Sequence, residues 1–208
     1  MNTVHHQHVQ RTSTVYTSQM PYPSKTDRET ILAAAVTQIE AGGLRAMSLR
    51  SLAASLGLAP NALYRYFADR ASLEAAVSAE MADRLHALLR RAVGKKAPAA
   101  AMRATAGAYL KFARENRFLY EIFMLPCEGT PEDAAKHEQL WLFVVEEVGR
   151  LTGPTRAPEA AVALWAFLHG VTALDAAGVF ARGKPLRGLA FGLDAWLASA
   201  DDDSKHFK

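Results

Sequence analysis

The run SLRSLAASLGLAPNALYRYF, residues 48–67, constrains this chain more than any other stretch. Ser48 is a good N-cap, and Leu49, Leu52 and Leu56 fall at i, i+3 and i+7, so a short helix with one apolar face starts here. Gly57 supplies the residue most at ease in the left-handed backbone that ends a helix. Pro60 fits the first turn of a second helix. Leu63 and Phe67, one turn apart, face back toward the first. Two helices joined by a three-residue turn containing Gly form the arrangement that sets a second helix into the major groove of DNA.

At about 100° per residue, Pro60, Leu63 and Phe67 share the buried arc of that second helix. The opposite arc is centred on Arg65 and includes Asn61, Ala62 and Tyr66, with Tyr64 at its edge. Asn pairs bidentately with adenine, Arg pairs with guanine, and Tyr hydroxyls reach phosphate oxygens. An ordinary amphipathic helix with a polar surface shows the same pattern, so the pair of helices alone does not decide.

Its context does. A helical segment precedes it at Asp27 to Ala41, with capping-box spacing at Thr26 and Glu29, a seam of Ile31, Ala35 and Ile39, and a Gly42-Gly43 stop. Asp69-Arg70-Ala71-Ser72-Leu73 then opens a fourth, longer helix. In Ser48, Leu52-Ala53, Leu56-Gly57, Leu63-Tyr64, Phe67, Arg70 and Leu73, the stretch from Lys25 to Ala75 resembles the DNA-binding domain of the TetR (tetracycline-repressor-like) family. The resemblance implies an all-α protein: a three-helix DNA-binding domain followed by a larger helical domain for ligand binding and dimerisation.

Carried over position by position, the resemblance assigns Tyr64 and Arg70 to phosphates. It brings Pro60, Asn61, Arg65 and Tyr66 to the major groove, and Ser48 and Arg50 near backbone or bases. Arg70 stands where the family usually has Lys, which keeps the charge and changes the hydrogen-bond geometry. Ala59 stands where a Ser or Thr often caps the recognition helix, and Asn61 where Gly is common.

Composition agrees with a helical, soluble chain. Half of the residues are hydrophobic, and no segment sustains the alternation of β-branched residues that marks strands. The net charge of +3 is uneven. Residues 1–70 hold seven Lys/Arg against four Asp/Glu, whereas residues 71–208 hold 17 of each. The positive excess thus falls where phosphate neutralisation needs it. Cys127 is the sole cysteine, which excludes an intrachain disulfide and fits a reducing cytoplasm. The N-terminus has no apolar run of the signal-peptide kind. Ala160 to Ala181 is almost wholly apolar, but His169 and Asp175 interrupt it, so burial in protein is expected and no membrane span.

The pattern divides the chain into an expected disordered arm (1–24), the DNA-binding domain (25–71), a larger domain (72–198) and a flexible tail (199–208). About nine helices are predicted. The fourth spans Ala71 to Val93, the fifth Ala99 to Glu115, the sixth Phe118 to Leu125, and the seventh runs from Pro131 to near Gly153. Pro158 and Pro185 open the last two. Leu164, Phe167, Leu168, Val171 and Leu174 of the eighth, with Leu186, Leu189, Leu193, Trp196 and Leu197 of the ninth, invite a four-helix bundle with a second copy. In the family resembled, these two helices form the dimer interface. Trp165, His169 and Gly170 also resemble the Trp…His-Gly signature of one subclass.

The family encloses a small-molecule effector between helices four and eight. Here those segments supply Met102, Tyr109, Phe112, Tyr120, Phe123, Trp141, Phe143, Trp165 and Phe167, with Glu121, His137, Glu138 and His169 as polar contacts. An apolar or aromatic effector is the expectation, beside the blander one that these aromatics fill a core. No metal-ligand spacing appears, and no cofactor is expected. The expected function is a transcriptional repressor that binds a palindromic double-stranded operator as a homodimer and is released by its effector. Two alternatives stand beside it: a small helical enzyme using Cys127 with His137 or His169 and Asp175, and a DNA-binding protein that needs no ligand.

Overall fold

The computed structural model describes residues 26–126, 128–179 and 184–202. These form α1 (Arg28–Gly42), α2 (Leu49–Ser55), α3 (Pro60–Leu63), α4 (Arg70–Val93), α5 (Pro98–Glu115), α6 (Arg117–Phe123), α7 (Pro131–Thr152), α8 (Ala157–Ala176) and α9 (Lys184–Asp202). Among the described residues there is no strand. The expected arm, residues 1–24, and Cys127 lie outside the described residues.

Side-chain caps set four of the nine helix starts among the described residues. Ser48 accepts from the Ser51 amide at 3.0 Å, Asp69 from the Ser72 amide at 2.7 Å, and Thr130 from the Asp133 amide at 3.2 Å. Each side chain at the third helical position reaches back in turn, which satisfies two otherwise orphaned donors. At α1 the cap is Asp27, not Thr26: its carboxylate accepts from the Thr30 amide at 2.8 Å. Gly57, with φ 66°, turns the chain out of α2.

Two features are shorter or longer than the sequence implies. Regular helix in α3 stops at Leu63, and bonds from the Tyr66 and Phe67 amides to the Leu63 carbonyl, at 2.9 and 3.0 Å, carry the backbone one further turn. The last helix continues to Asp202, so residues 199–202 are helical and not a loose tail.

The apolar seams converge on α4. Ile31, Ala35 and Ile39 of α1 are buried with Leu52, Leu63, Phe67, Leu73 and Val77, which makes α1–α3 a small bundle seated on the start of α4. Further along, α4 packs against α5, α6 and α7, and α8 packs against α5, α7 and α9. The sixth helix also meets α1, through Gly43 (φ 77°), where a Cβ would stand 3.2 Å from the Phe118 ring. At the other end of the domain, the Phe167 ring fills the space a side chain at Gly192 would need, so α8 and α9 approach closely there.

The apolar α8 is not buried within one chain. Only 28% of its most apolar window is enclosed. Leu164, Leu168, Leu193 and Leu197, expected at a subunit contact, are buried inside this chain. Left exposed on the last two helices are Val162, Trp165, Leu174 and Phe191, the last at 79%. The Leu186 side chain lies outside the described residues.

Candidate DNA interface and enclosed cavity

Leu52 and Ala53 of α2 and Leu63 of α3 are buried, which fixes one face of α3 inward. Asn61, Tyr64 and Arg65 are then exposed, with Tyr64 at 53%; Pro60, which the helical spacing puts on the buried arc, is exposed as well, because it opens the helix at its first turn. Arg50, on the first turn of α2, is exposed as well. Ser48 is exposed, but its hydroxyl is already shared with Ser51, at 2.9 Å. Tyr66 differs from the sequence expectation: it is half-buried, and its hydroxyl donates to the Thr26 carbonyl at 2.6 Å. That bond ties the end of the recognition segment to the start of α1.

Arg70 is positioned by two neighbours. Its Nε donates to Glu74 Oε1 at 2.6 Å and one terminal nitrogen donates to the Leu44 carbonyl at 2.9 Å. A guanidinium has five N–H donors, so two bonds leave donors for a phosphate. The exposed i,i+4 pair with Glu74 contributes only about 0.3–0.5 kcal/mol, too little to hold Arg70 against such a partner.

In the larger domain, α4, α5, α6, α7 and α8 surround a cavity of about 270 Å³. Leu85 and Leu89 come from α4, Thr105 and Tyr109 from α5, and Phe123 from α6. His137, Leu140, Trp141 and Val144 come from α7, with Leu164, Trp165 and Leu168 from α8. No Asp, Glu, Lys or Arg is among these residues. His137 lies parallel to Phe123 with centroids 5.7 Å apart, and its Nε2 meets the buried Ser78 hydroxyl at 3.3 Å. Burial pushes its imidazole pKa down, against a smaller upward pull from Asp133. At neutral pH the ring is therefore uncharged.

Behind the cavity wall a polar relay runs from α5 through α6 to α8. The Tyr109 and Tyr120 hydroxyls share a hydrogen bond of 2.6 Å, and Tyr120 shares another of 2.7 Å with His169 Nδ1. Burial raises the pKa of both phenols, so both stay protonated.

Of the thirteen residues expected around a ligand, Tyr109, Phe123, His137, Trp141 and Trp165 line the cavity. Tyr120 and His169 stand behind Tyr109. Met102 and Phe112 are buried in the core and do not line it. Glu121 and Glu138 are exposed, and Phe143 packs on His86. Thr105 escaped the sequence reading. Its only trace was a polar residue one turn before Tyr109 on an apolar helical face.

An exposed recognition segment on a helical bundle, joined through α4 to a larger helical domain, defines a helix-turn-helix transcriptional regulator. The chain belongs to the TetR family. Residues 31–77 match the family of bacterial regulatory proteins, tetR family, and residues 102–191 match the tetracyclin repressor-like C-terminal domain. A helix-turn-helix-type transcriptional regulator of Mycobacterium tuberculosis is 29% identical over 161 residues, 76% of this chain and 73% of that protein. A protein of unknown function from Rhodococcus sp. RHA1 superposes with a TM-score of 0.73 at 26% identity, over 87% of this chain and 98% of that one. A TetR variant from Acinetobacter baumannii, solved in complex with minocycline, shares the fold at 22% identity, with a TM-score of 0.62 over 84% and 96% of the two chains.

The chain is a regulator and not an enzyme. The residues that would have served Cys127 are committed elsewhere: His137 to Ser78, His169 to Tyr120, and Asp175 to Arg114 Nε at 2.6 Å.

Proposed function

We propose that this protein is a cytoplasmic repressor that grips a palindromic operator as a homodimer and lets go when a small molecule fills the cavity. Asn61 and Arg65 read base edges, Tyr64 and Arg70 hold phosphates, and Ser48, Arg50 and Pro60 flank them. The dimer forms through α8 and α9. What supports this contact is α8, apolar over most of its length yet only 28% enclosed within this chain, with Val162, Leu174 and, on α9, Phe191 left exposed; a helix that apolar is ordinarily buried. Trp165, His169 and Gly170 share α8 within the matched C-terminal segment, which supports the Trp-His-Gly subclass.

The observation that carries the reading is the partly open apolar cavity at one end of α4 and the exposed α3 at the other. A protein that bound DNA without a ligand would have no use for such a space. Filling it favours one arrangement of α4–α8, and a pair of recognition helices tolerates little change in spacing. Selection of duplexes from random DNA by the full chain tests the operator reading. Recovery of inverted repeats supports it, and recovery of a lone half-site or of no common sequence counts against it.

A further inference from the structure

Tyr66 ties the start of the described chain to the recognition segment. Its hydroxyl donates to the Thr26 carbonyl at 2.6 Å, and the Arg65 guanidinium lies over its ring, 6.0 Å from the centroid. Residues 1–25, outside the described residues, therefore join the fold beside an exposed Arg65, at the edge of the face that α3 presents.

Positive charge is scarce on the described part of the DNA-binding domain. Residues 26–70 hold five Lys/Arg against four Asp/Glu. Arg28 is turned to Asp133, 3.4 Å away, and its neighbours at the start of α1 are Asp27 and Glu29. Residues 1–25 hold Arg11 and Lys25 and no Asp or Glu, so two of the three excess charges in the first 70 residues precede α1. Each phosphate met by a Lys or Arg releases counterions and adds affinity whatever the sequence. Between Arg11 and Lys25 stand Thr, Ser, Gln and Tyr side chains, which donate to phosphate and sugar oxygens.

Reach is sufficient. The 15 residues from Arg11 to Thr26 span up to about 50 Å when extended, more than the ~34 Å of one duplex turn. Attachment at Thr26 keeps both cations at high effective concentration beside DNA held by α3.

From this placement we infer that residues 1–25 form a second DNA contact, with Arg11 and Lys25 on the phosphates that flank the stretch under α3. The inference rests on the DNA contact proposed above for α3 and extends it. The added contact is blind to bases, so it strengthens binding to every duplex alike.

Fluorescence anisotropy of the full chain on an arbitrary duplex about four helical turns long, titrated across salt concentrations, tests it. Arg11→Gln/Lys25→Gln should make the slope of log affinity against log salt shallower by about two for each protomer. Arg11→Lys/Lys25→Arg should keep the wild-type slope. Lys95→Gln/Lys96→Gln removes the same charge just past the far end of α4, a helix of 24 residues and so about 36 Å long. Screening at that range should leave its slope unchanged. A wild-type slope in Arg11→Gln/Lys25→Gln, or an equal drop in Lys95→Gln/Lys96→Gln, would overturn the inference. If Arg70→Ala still lowers the slope in the first case, only the second contact is struck. No salt-dependent binding by the wild type would remove the α3 contact and this inference with it.

Discussion

Arg28 and Asp133, 105 positions apart in sequence, meet across the boundary between the DNA-binding helices and the larger domain, one guanidinium nitrogen lying 3.4 Å from each carboxylate oxygen. Arg28 also lies over the Phe67 ring, 4.9 Å from its centroid, and so touches the end of the recognition segment. Asp133 belongs to the first turn of α7 and is buried. One turn later the same helix places His137 in the cavity wall, followed by Leu140, Trp141 and Val144. A single rigid helix thereby joins the cavity to α1 and α3, alongside the route through α6 and Phe118.

Asp133 carries a pH signature. Burial works to raise its pKa, but the Thr130 hydrogen bonds and then the Arg28 charge together outweigh it and hold the carboxyl below its ordinary range. A carboxyl lowered on folding stabilises the fold above its unfolded value of about 3.9, and that contribution is lost as pH falls through the folded value. Asp133→Ala should lower unfolding stability by about 1–3 kcal/mol at neutral pH. The gap from wild type should narrow below about pH 4, as denaturant titrations across pH will measure. A gap that stays constant into acid would place the effect in lost packing.

The Arg28–Asp133 pair itself is testable by a double-mutant cycle of Arg28→Met and Asp133→Ala. Arg28 is partly exposed, 36% for its side chain, and the contact is long, so the coupling expected is modest, about 0.5–1 kcal/mol. Additive single effects would mean that α7 and α1 are joined by packing alone.

Helix starts were legible because caps are local: Ser48, Asp69, Thr130 and the prolines announce them within four residues. The cavity was not, because lining and core residues look alike in sequence. Phe112 and Phe123 are both aromatic on amphipathic helices, yet the crossing of α5 and α6 sends the first into the core and the second to the cavity. Leu164 and Trp165 are adjacent, and only the packing of α8 on its neighbours tells which of them is exposed. Tyr66 is half-buried, not fully presented to solvent, for a related reason. Its hydroxyl finds Thr26, 40 residues away, a partner that no helical wheel displays.

On DNA, Arg70→Ala should weaken binding to every sequence alike and reduce the salt slope by about one. Asn61→Ala or Arg65→Ala should instead relax the preference at one base position, by about 1–3 kcal/mol. Anisotropy titrations on matched and mismatched duplexes across salt concentrations separate the two patterns. An Arg70→Ala effect confined to one sequence would move that residue from phosphate contact to readout.

Phe191, at 79% exposure, is the side chain to change without disturbing the interior. Phe191→Asp should convert the proposed dimer to monomers in sedimentation velocity while leaving the helical circular dichroism signal intact. Dimers that persist would place the contact on another face.

Hydroxyl-radical footprinting of the full chain on a selected duplex tests the regulator reading most directly. Two protected patches related by a dyad, with centres about one helical turn or a multiple of it apart, and both lost together in Asn61→Ala/Arg65→Ala, are the result predicted. A single patch, or protection that survives that double substitution, would contradict it.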